Sequence, residues 1–337
     1  MSSSSTQLPN ISGKLPPLVV KSEEYDEEYE TSEDVESSDE VESKVIDNKA
    51  SFFATFIDGS SFRYLIEYLR LTSLEGTFVF TKDSITYQKE DEDRTIFNDV
   101  KLRTYELTDY EFCSENSEIT ATTNLSDLRN KTITVGKKEQ MDIYRRPEEP
   151  TNFYIQVRSQ EKSSGDNPVY YCMPMKSESV TIYELPEYER GKNNPNCTIY
   201  QSDFSKLCKA LVANKCNYVS VIGFEKGIII KGYSSDNKII MVKEYGKCKT
   251  NQTSKTSETK SINTIKPQVA PPKLNVKDSD EIERFKIPID NIKALSKING
   301  FSASSTIKIY IQKSAPMKLV VPIGSYGTLK ILLRSCV

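Results

Sequence analysis

The feature that most constrains how this chain can fold is an internal repeat, in which one order of elements occurs twice at an offset of about 142 residues. The first copy begins with a short apolar strand at 53–56 and continues into an amphipathic segment at 60–71. The apolar residues of that segment have the i, i+3, i+4, i+7 spacing of one helix face: Phe62, Leu65, Ile66 and Leu69. A strand at 78–80, a turn at 82–84 and a strand at 85–87 follow.

The second copy repeats this order with different residues. A strand at 197–200 leads into a segment at 202–214, and a strand at 219–222, a turn at 225–227 and a strand at 228–230 follow. The helical spacing occurs again, now at Phe204, Leu207, Cys208 and Leu211. Agreement of five elements at one offset predicts that the chain contains two similar halves.

Each half also contains a second short helical segment, at 125–131 and at 289–298. Alternating apolar residues downstream, as at 306–311 and 318–323, predict further strands. The predicted fold class is therefore α+β, with two topologically similar domains that each have two helices packed on antiparallel β-sheets.

Composition sets the predicted boundaries. Residues 1–50 are polar, Ser-rich and acidic, and we interpret them as a disordered tail. Domain 1 is predicted at 51–175 and domain 2 at 197–337, with an interdomain connector at 176–196 that contains Pro and Gly among many charges. A Lys-, Ser- and Asn-rich stretch at 246–280 is predicted to be a long loop within domain 2, since strand-like sequence flanks it.

Several absences argue against an enzyme. The chain has no His, which removes the commonest general base and metal ligand. It has no P-loop and no Gly-rich dinucleotide turn, and its seven cysteines include no CxxC pair. The sequence therefore predicts no catalytic residues, no metal site, no cofactor and reduced thiols.

The net charge of −3 conceals an asymmetry between the ends of the chain. Residues 1–50 hold thirteen acidic and four basic residues, so the remainder of the chain is basic overall. No apolar run approaches the roughly 20 residues that cross a bilayer, and the N-terminus is not typical of a secretory signal. We expect an intracellular protein without a membrane partner.

Three stretches resemble the proliferating cell nuclear antigen family of DNA sliding clamps. They are 52–87, the segment 197–232 (CTIYQSDFSKLCKALVANKCNYVSVIGFEKGIIIKG) and the segment 304–333, which includes the Leu329-Lys330 pair. The resemblance covers roughly 51–337. It implies a DNA clamp fold, a ring of three identical subunits around duplex DNA, and a processivity factor that tethers DNA polymerase and repair enzymes and is placed on DNA by a clamp loader. It also implies a location in the nucleus or at a cytoplasmic site of viral DNA replication.

The resemblance further implies that basic residues on all four helices face the DNA and contact it without sequence specificity. They are Arg63, Arg70, Arg129, Lys131, Lys206, Lys209, Lys293 and Lys297. A positive wall attracts the phosphate backbone without reading bases. The alternative is that these are ordinary solvated helix charges.

A partner-peptide site beside the connector is implied in the same way, at Tyr183, Leu185, Pro186, Pro316, Leu332 and Arg334. The chain departs from the family there. Leu332 and Arg334-Ser335 replace an aromatic residue and an Ala-Pro pair, and Glu90 replaces a pocket Met. Two alternatives to a homotrimeric clamp stay open: a subunit of a checkpoint-type heterotrimer, and a non-encircling viral processivity or transcription factor with the same fold.

Overall fold

The computed structural model of the chain describes residues 50–160, 168–185, 194–248, 281–302 and 304–336. The predicted acidic tail lies outside the described residues except for Ala50, and so does most of the predicted loop at 246–280. No helix within the described part of the chain combines the length and the apolar character that crossing a membrane requires.

Within the described residues, the first half contains nine strands and two α-helices. In chain order they are β1 (Phe52–Phe56), α1 (Gly59–Leu69), β2 (Glu75–Thr81), β3 (Ser84–Glu90), β4 (Ile96–Arg103), β5 (Asp109–Phe112), β6 (Glu118–Asn124), α2 (Leu125–Thr132), β7 (Glu139–Arg145), β8 (Asn152–Ser159) and β9 (Val169–Pro174).

The second half repeats this order without a described counterpart of β5. Its elements are β10 (Cys197–Tyr200), α3 (Gln201–Ala213), β11 (Tyr218–Phe224), β12 (Lys226–Tyr233), β13 (Ile239–Lys247), β14 (Glu283–Pro288), α4 (Ile289–Leu295), β15 (Thr306–Tyr310), β16 (Met317–Ile323) and β17 (Gly327–Leu333). The predicted α+β class, with two helices in each half and antiparallel sheets, is confirmed.

The predicted helix faces form the core. Leu65, Ile66 and Leu69 of α1 are fully buried, and the four apolar residues of α3 have the same role. Helix α1 begins after Asp58, whose carboxylate accepts hydrogen bonds from the backbone N–H and the hydroxyl of Ser60, as an N-cap residue does.

Some boundaries differ from the predictions. Helix α1 ends at Leu69, so Arg70 is its C-cap residue. Helix α4 ends at Leu295 and is followed by a 3-10 turn at Ile298–Gly300, so Lys297 lies after the helix rather than in it. Strand β13 extends to Lys247, which places the start of the predicted loop at 246 inside a strand. The sequence alone did not show where the backbone pairing with β12 stops.

The sheets show how the halves are joined. One five-stranded sheet has the order β5-β1-β7-β8-β9, and one four-stranded sheet has the order β13-β12-β11-β14. The eight-stranded sheet, β10-β15-β16-β17-β4-β3-β2-β6, takes strands from both halves because β17 pairs with β4. This antiparallel pairing runs from Gly327 opposite Leu102 to Leu333 opposite Ile96. We call it, with the contact between α1 and the 3-10 turn, the interdomain joint.

The repeat also identifies two open edges. Strand β9 is the counterpart of β17, and β13 is the counterpart of β4. Among the described residues, β9 pairs only with β8, and β13 pairs only with β12. Within the described residues, β9 and β13 therefore each have one unpaired edge, whereas their counterparts β17 and β4 pair with each other.

The candidate DNA-facing helix layer and partner-binding surface

All eight basic residues implied to face DNA lie in the layer of α1 to α4 or within two residues of the C-terminal end of a helix. Lys206, Lys209 and Lys293 are exposed, and the other five are half-buried. Lys209 forms no ion pair with any described residue. The structure thus gathers these cations on one layer of the molecule, and their contact with DNA stays a prediction.

Several of these cations already have partners on their own helix. The Nζ of Lys206 lies 3.5 Å from Asp203 Oδ1, and that of Lys293 lies 2.6 Å from Asp290 Oδ1. Both are exposed i, i+3 pairs, which contribute little stability and exchange readily with other anions. Such lysines can therefore exchange their aspartate partner for a phosphate.

Lys297 is different because its partner lies in the other half. Its Nζ is 3.0 Å from Glu67 Oε1 of α1, so it bridges the interdomain joint. Tyr64 of α1 packs directly against Gly300 in the 3-10 turn, where a Cβ would clash with the ring. Lys297 therefore has a structural contact that the sequence analysis did not predict.

In the first half, Arg63 connects the two helices of the layer. Its Nη1 donates to the backbone oxygen of Ile133 at 3.1 Å, and its guanidinium lies 4.1 Å from the ring centroid of Tyr64. The ammonium of Lys131 lies 5.6 Å from the ring centroid of Tyr171, which belongs to the open edge β9. Lys131 therefore stands next to the end of the described first half.

On the opposite face of the eight-stranded sheet, one side chain holds the connector at Tyr183. The amide of Gln88 accepts from the backbone N–H of Tyr183 at 2.8 Å and donates to the backbone oxygen of Tyr183 at 3.0 Å. The ring of Tyr183 stays 63% exposed. Gln88 also donates to Asp99 Oδ1 at 3.1 Å, and Asp99 pairs with Lys330 at 3.0 Å.

The other implied partner-site residues are placed as follows. Leu185 and Pro316 are half-buried, Leu332 is buried on the outer side of β17, and Pro186 lies outside the described residues. Arg334 is exposed and forms a 2.7 Å ion pair with Glu90. Two of the residues that depart from the family pattern therefore pair with each other, and they make this end of the surface polar.

The sequence analysis missed Gln88 and the lysines of the outer sheet face. Lys318 and Lys330 alternate with the buried residues of β16 and β17, so their exposure to one face was readable from the pattern. Their proximity was not, because it depends on the register between strands that the sequence does not give. The pKa of Lys318 is lowered by burial and by the charge of Lys330.

The acidic and Cys side chains are among the groups of this chain that could bind a metal ion or act as nucleophiles. No group of three or more acidic or Cys side chains within the described ranges is placed to hold a metal ion. Burial raises the pKa of the Cys197 thiol to about 11, and it also raises that of Cys208, which is buried against α3's neighbours. Raised thiol pKa values mark inert cysteines rather than nucleophiles.

A helix pair repeated on antiparallel sheets, with one sheet shared between the halves and a layer of basic helices, defines the class of the fold as that of a DNA clamp. Within that class, the fold is that of proliferating cell nuclear antigen (PCNA). The chain is similar to the PCNA of Entamoeba histolytica, with a TM-score of 0.63 at 12% identity over 86% of this chain and 100% of that one. It is also similar to a chain of the PCNA2–PCNA3 complex of Sulfolobus tokodaii, with a TM-score of 0.58 at 14% identity over 84% of this chain and 98% of that one.

No protein-family model matches the chain, and no curated protein matches it in sequence. The sequence resemblance to the PCNA family is thus confirmed at the level of the fold.

Proposed function

We propose that this protein is a DNA sliding clamp, which closes into a ring around duplex DNA and tethers DNA polymerase and other replication and repair enzymes. The observation that carries the proposal is the pair of open edges. Strand β9 and strand β13 occupy the positions of β17 and β4 in the interdomain joint. A second copy that supplies β13 to β9 would repeat this joint, and head-to-tail repetition with rotation generates a ring.

Both open edges carry exposed apolar side chains. Val169 and Tyr170 of β9 are 49% and 46% exposed, and Ile239 and Ile240 of β13 are 37% and 41% exposed. Long edge strands with exposed apolar residues are otherwise a risk for aggregation, so natural proteins cover them. Burial between copies removes this apolar surface from water.

The ladders inside the chain predict the register between copies. Leu329 of β17 lies opposite Val100 of β4. Through the pairing of each strand with its neighbour, the counterpart of Leu329 is Val169 and that of Val100 is Lys243. We therefore expect Val169 of one copy to lie opposite Lys243 of the next, with Tyr171 opposite Met241.

The helix layer supplies the DNA contact. The described helices carry cations in each half, and repetition of the joint would continue the layer from copy to copy. Duplex DNA carries about one negative charge per 1.7 Å of axis, so a ring lined by these residues attracts it regardless of sequence. Exposed lysines that exchange between aspartate and phosphate permit movement along the duplex.

The proposal assigns no catalytic step to the chain. Its partners would be double-stranded DNA, two further copies of itself, a clamp loader and enzymes that bind beside the connector. Its site of action would be wherever DNA is replicated, in the nucleus or at a cytoplasmic site of viral replication.

A ring of unlike chains is the second candidate, which one observation favours. Glu67 and Lys297 each lie eight residues after the start of their helix and form the ion pair of the interdomain joint. At the open ends, the residues eight positions after the starts of α3 and α2 are Lys209 and Ile133. Two identical copies would therefore lack this ion pair. A different chain with an acidic residue at the position of Ile133 would restore it.

Light scattering of the purified chain tests the ring. We expect a mass near three times 38.3 kDa, and a monomer at all concentrations would contradict the homotrimer. The register is tested by Val169→Glu and Val169→Lys. The glutamate faces Lys243 of the next copy and should preserve the ring, whereas the lysine should shift it toward monomer. Equal effects of both charges would contradict the predicted register, and Tyr105→Lys is the control at an exposed position outside the strands.

A further inference from the structure

The outer face of the eight-stranded sheet, opposite the helices, carries rows of side chains that cross both halves. One row runs through Lys308, Val320, Lys330, Asp99 and Gln88 on five adjacent strands. The neighbouring row runs through Tyr310, Lys318, Leu332, Phe97 and Glu90. The first row ends at Gln88, where the connector is held through Tyr183. The connector thus borders this face directly.

The charged side chains on and beside these rows are mostly basic. We call one part of this face, with five cations and two carboxylates, the basic outer face: Lys101, Lys308, Lys318, Lys330 and Arg334, with Asp99 and Glu90. Both carboxylates are already engaged, Asp99 by Lys330 and Glu90 by Arg334. Lys101 and Lys308 are exposed and have no ion pair with a described residue. Positive charge is therefore in excess.

The lysines are close enough to repel one another. Lys318 and Lys330 are diagonal neighbours on adjacent strands, a position roughly 7–8 Å away. The lowered pKa of Lys318 has burial as its first cause and the charge of Lys330 as its second. An anion placed between them would relieve the repulsion, so this face is electrostatically complementary to a negative ligand.

Apolar groups lie among the cations. The ammonium of Lys318 lies 4.7 Å from the ring centroid of Tyr310. Phe97 is half-buried beside Leu332 in the same row. An extended peptide that carries both acidic and aromatic residues among its alternate positions would match both kinds of group, because alternate side chains of a strand point to one face.

We propose that the basic outer face binds an acidic, aromatic-containing segment of a partner protein, which runs from Tyr183 of the connector across β3, β4, β17 and β16. The proposal deepens the recruiting role proposed above and rests on it. It predicts a partner motif whose acidic residues contribute as much as its apolar anchor, because the surface holds the Glu90–Arg334 ion pair where an apolar pocket was implied.

Fluorescence anisotropy of the full chain tests this proposal. The probe is a fluorescein-labelled synthetic peptide in which Ser occupies every second position. Glu occupies the other positions, except for two that are Phe, so that Glu and Phe share one face. The matched peptide has Lys for each Glu. We expect the acidic peptide to bind, the basic one not to bind, and binding to weaken with salt. The double variant Lys308→Gln/Lys318→Gln should bind about tenfold more weakly.

Controls separate this proposal from folding and from ring closure. Lys82→Gln/Lys226→Gln removes two exposed lysines away from this face, one between β2 and β3 and one at the start of β12, and should bind like the unchanged chain. Lys101→Gln, at an exposed position with no described ion pair, is the second test variant and should weaken binding without affecting folding. Light scattering of each variant reports the ring independently, so a failed ring and a failed peptide site are distinguishable.

Two results would overturn the proposal. One is equal affinity of the control and test variants for the acidic peptide. The other is binding that appears only after the acidic residues between Glu23 and Glu42 are changed to Gln and Asn, since this would assign the face to the chain's own acidic stretch rather than to a partner.

Discussion

Lys297 and Glu67 join the two halves of the molecule through a 3.0 Å ion pair between the Nζ and Oε1 atoms. Both side chains are partly exposed, so the pair contributes modestly to stability, up to about 1 kcal/mol. Its greater effect concerns charge, because it places an anion within the layer that we propose to face DNA.

We therefore expect Glu67→Gln to raise affinity for duplex DNA by about two- to threefold, since it removes a negative charge and frees Lys297. Fluorescence anisotropy with a labelled duplex measures the change. The matched control is Glu75→Gln, at an exposed position at the start of β2. A decrease in affinity would show that Glu67 acts mainly by fixing the joint.

Replacement of both Lys206 and Lys209 by Glu should weaken DNA binding without loss of the fold, because both side chains are exposed on α3. If each lysine touches one phosphate, the slope of log K against log salt becomes less steep by about 0.9 for each lysine replaced. Lys226→Glu, at the exposed first position of β12, is the control. An unchanged salt slope would assign these lysines to ordinary solvation.

Cys172 offers a probe of the open edge. It is an exposed thiol on β9, and Cys113, after β5, is an exposed thiol away from both open edges. Ring closure should slow alkylation of Cys172 by N-ethylmaleimide and leave Cys113 unaffected. The measurement is mass spectrometry of peptides at protein concentrations above and below ring dissociation. Similar rates for Cys172 at both concentrations would argue against β9 as the contact strand.

Gln88→Ala should loosen the connector, because the only described backbone hydrogen bonds of Tyr183 are made to this amide. The loss of these bonds is worth about 1 kcal/mol of local stability. Hydrogen exchange at Tyr183 should accelerate while β3 and β4 stay protected. Gln88→Glu should have a larger effect at neutral pH, since it places a carboxylate beside Asp99, and protonation at low pH should restore the contact.

Asp109 is expected to make stability depend on pH. Burial first, and the charge of Asp142 second, raise the pKa of Asp109 above 3.8, so the folded protein binds its proton more tightly than the unfolded chain does. Its charged form therefore reduces stability at neutral pH, and this cost disappears as the pH falls through the folded pKa. Asp109→Asn should raise the urea midpoint at pH 7 and give no gain in acid; a gain of the same size at all pH values would contradict this.

The sequence predicted the parts of the fold that are local. The spacing of Phe204, Leu207, Cys208 and Leu211 predicted one buried face of α3, and the structure confirms it. The repeat predicted that each half holds two helices. These patterns are readable because helical and strand periods determine which residues face the core.

Pairing between distant strands was not readable in this way. Lys330 and Asp99 are separated by 231 positions, and nothing in either segment indicates that β17 lies beside β4. The same limit applies to the candidate site. The basic helix positions were named from the resemblance, whereas the Gln88–Tyr183 contact and the Lys297–Glu67 pair depend on the tertiary arrangement of both halves.

The sheet shared by the halves also has a consequence for synthesis of the chain. Strand β4 leaves the ribosome long before β17, so its pairing edge stays uncovered while more than two hundred residues are translated. Nascent chains of this kind are vulnerable to association through that edge, because unpaired strands pair with whatever strand is available. Slow translation of the second half would prolong this exposure, and a chaperone that shields β4 during elongation would raise the yield of folded protein.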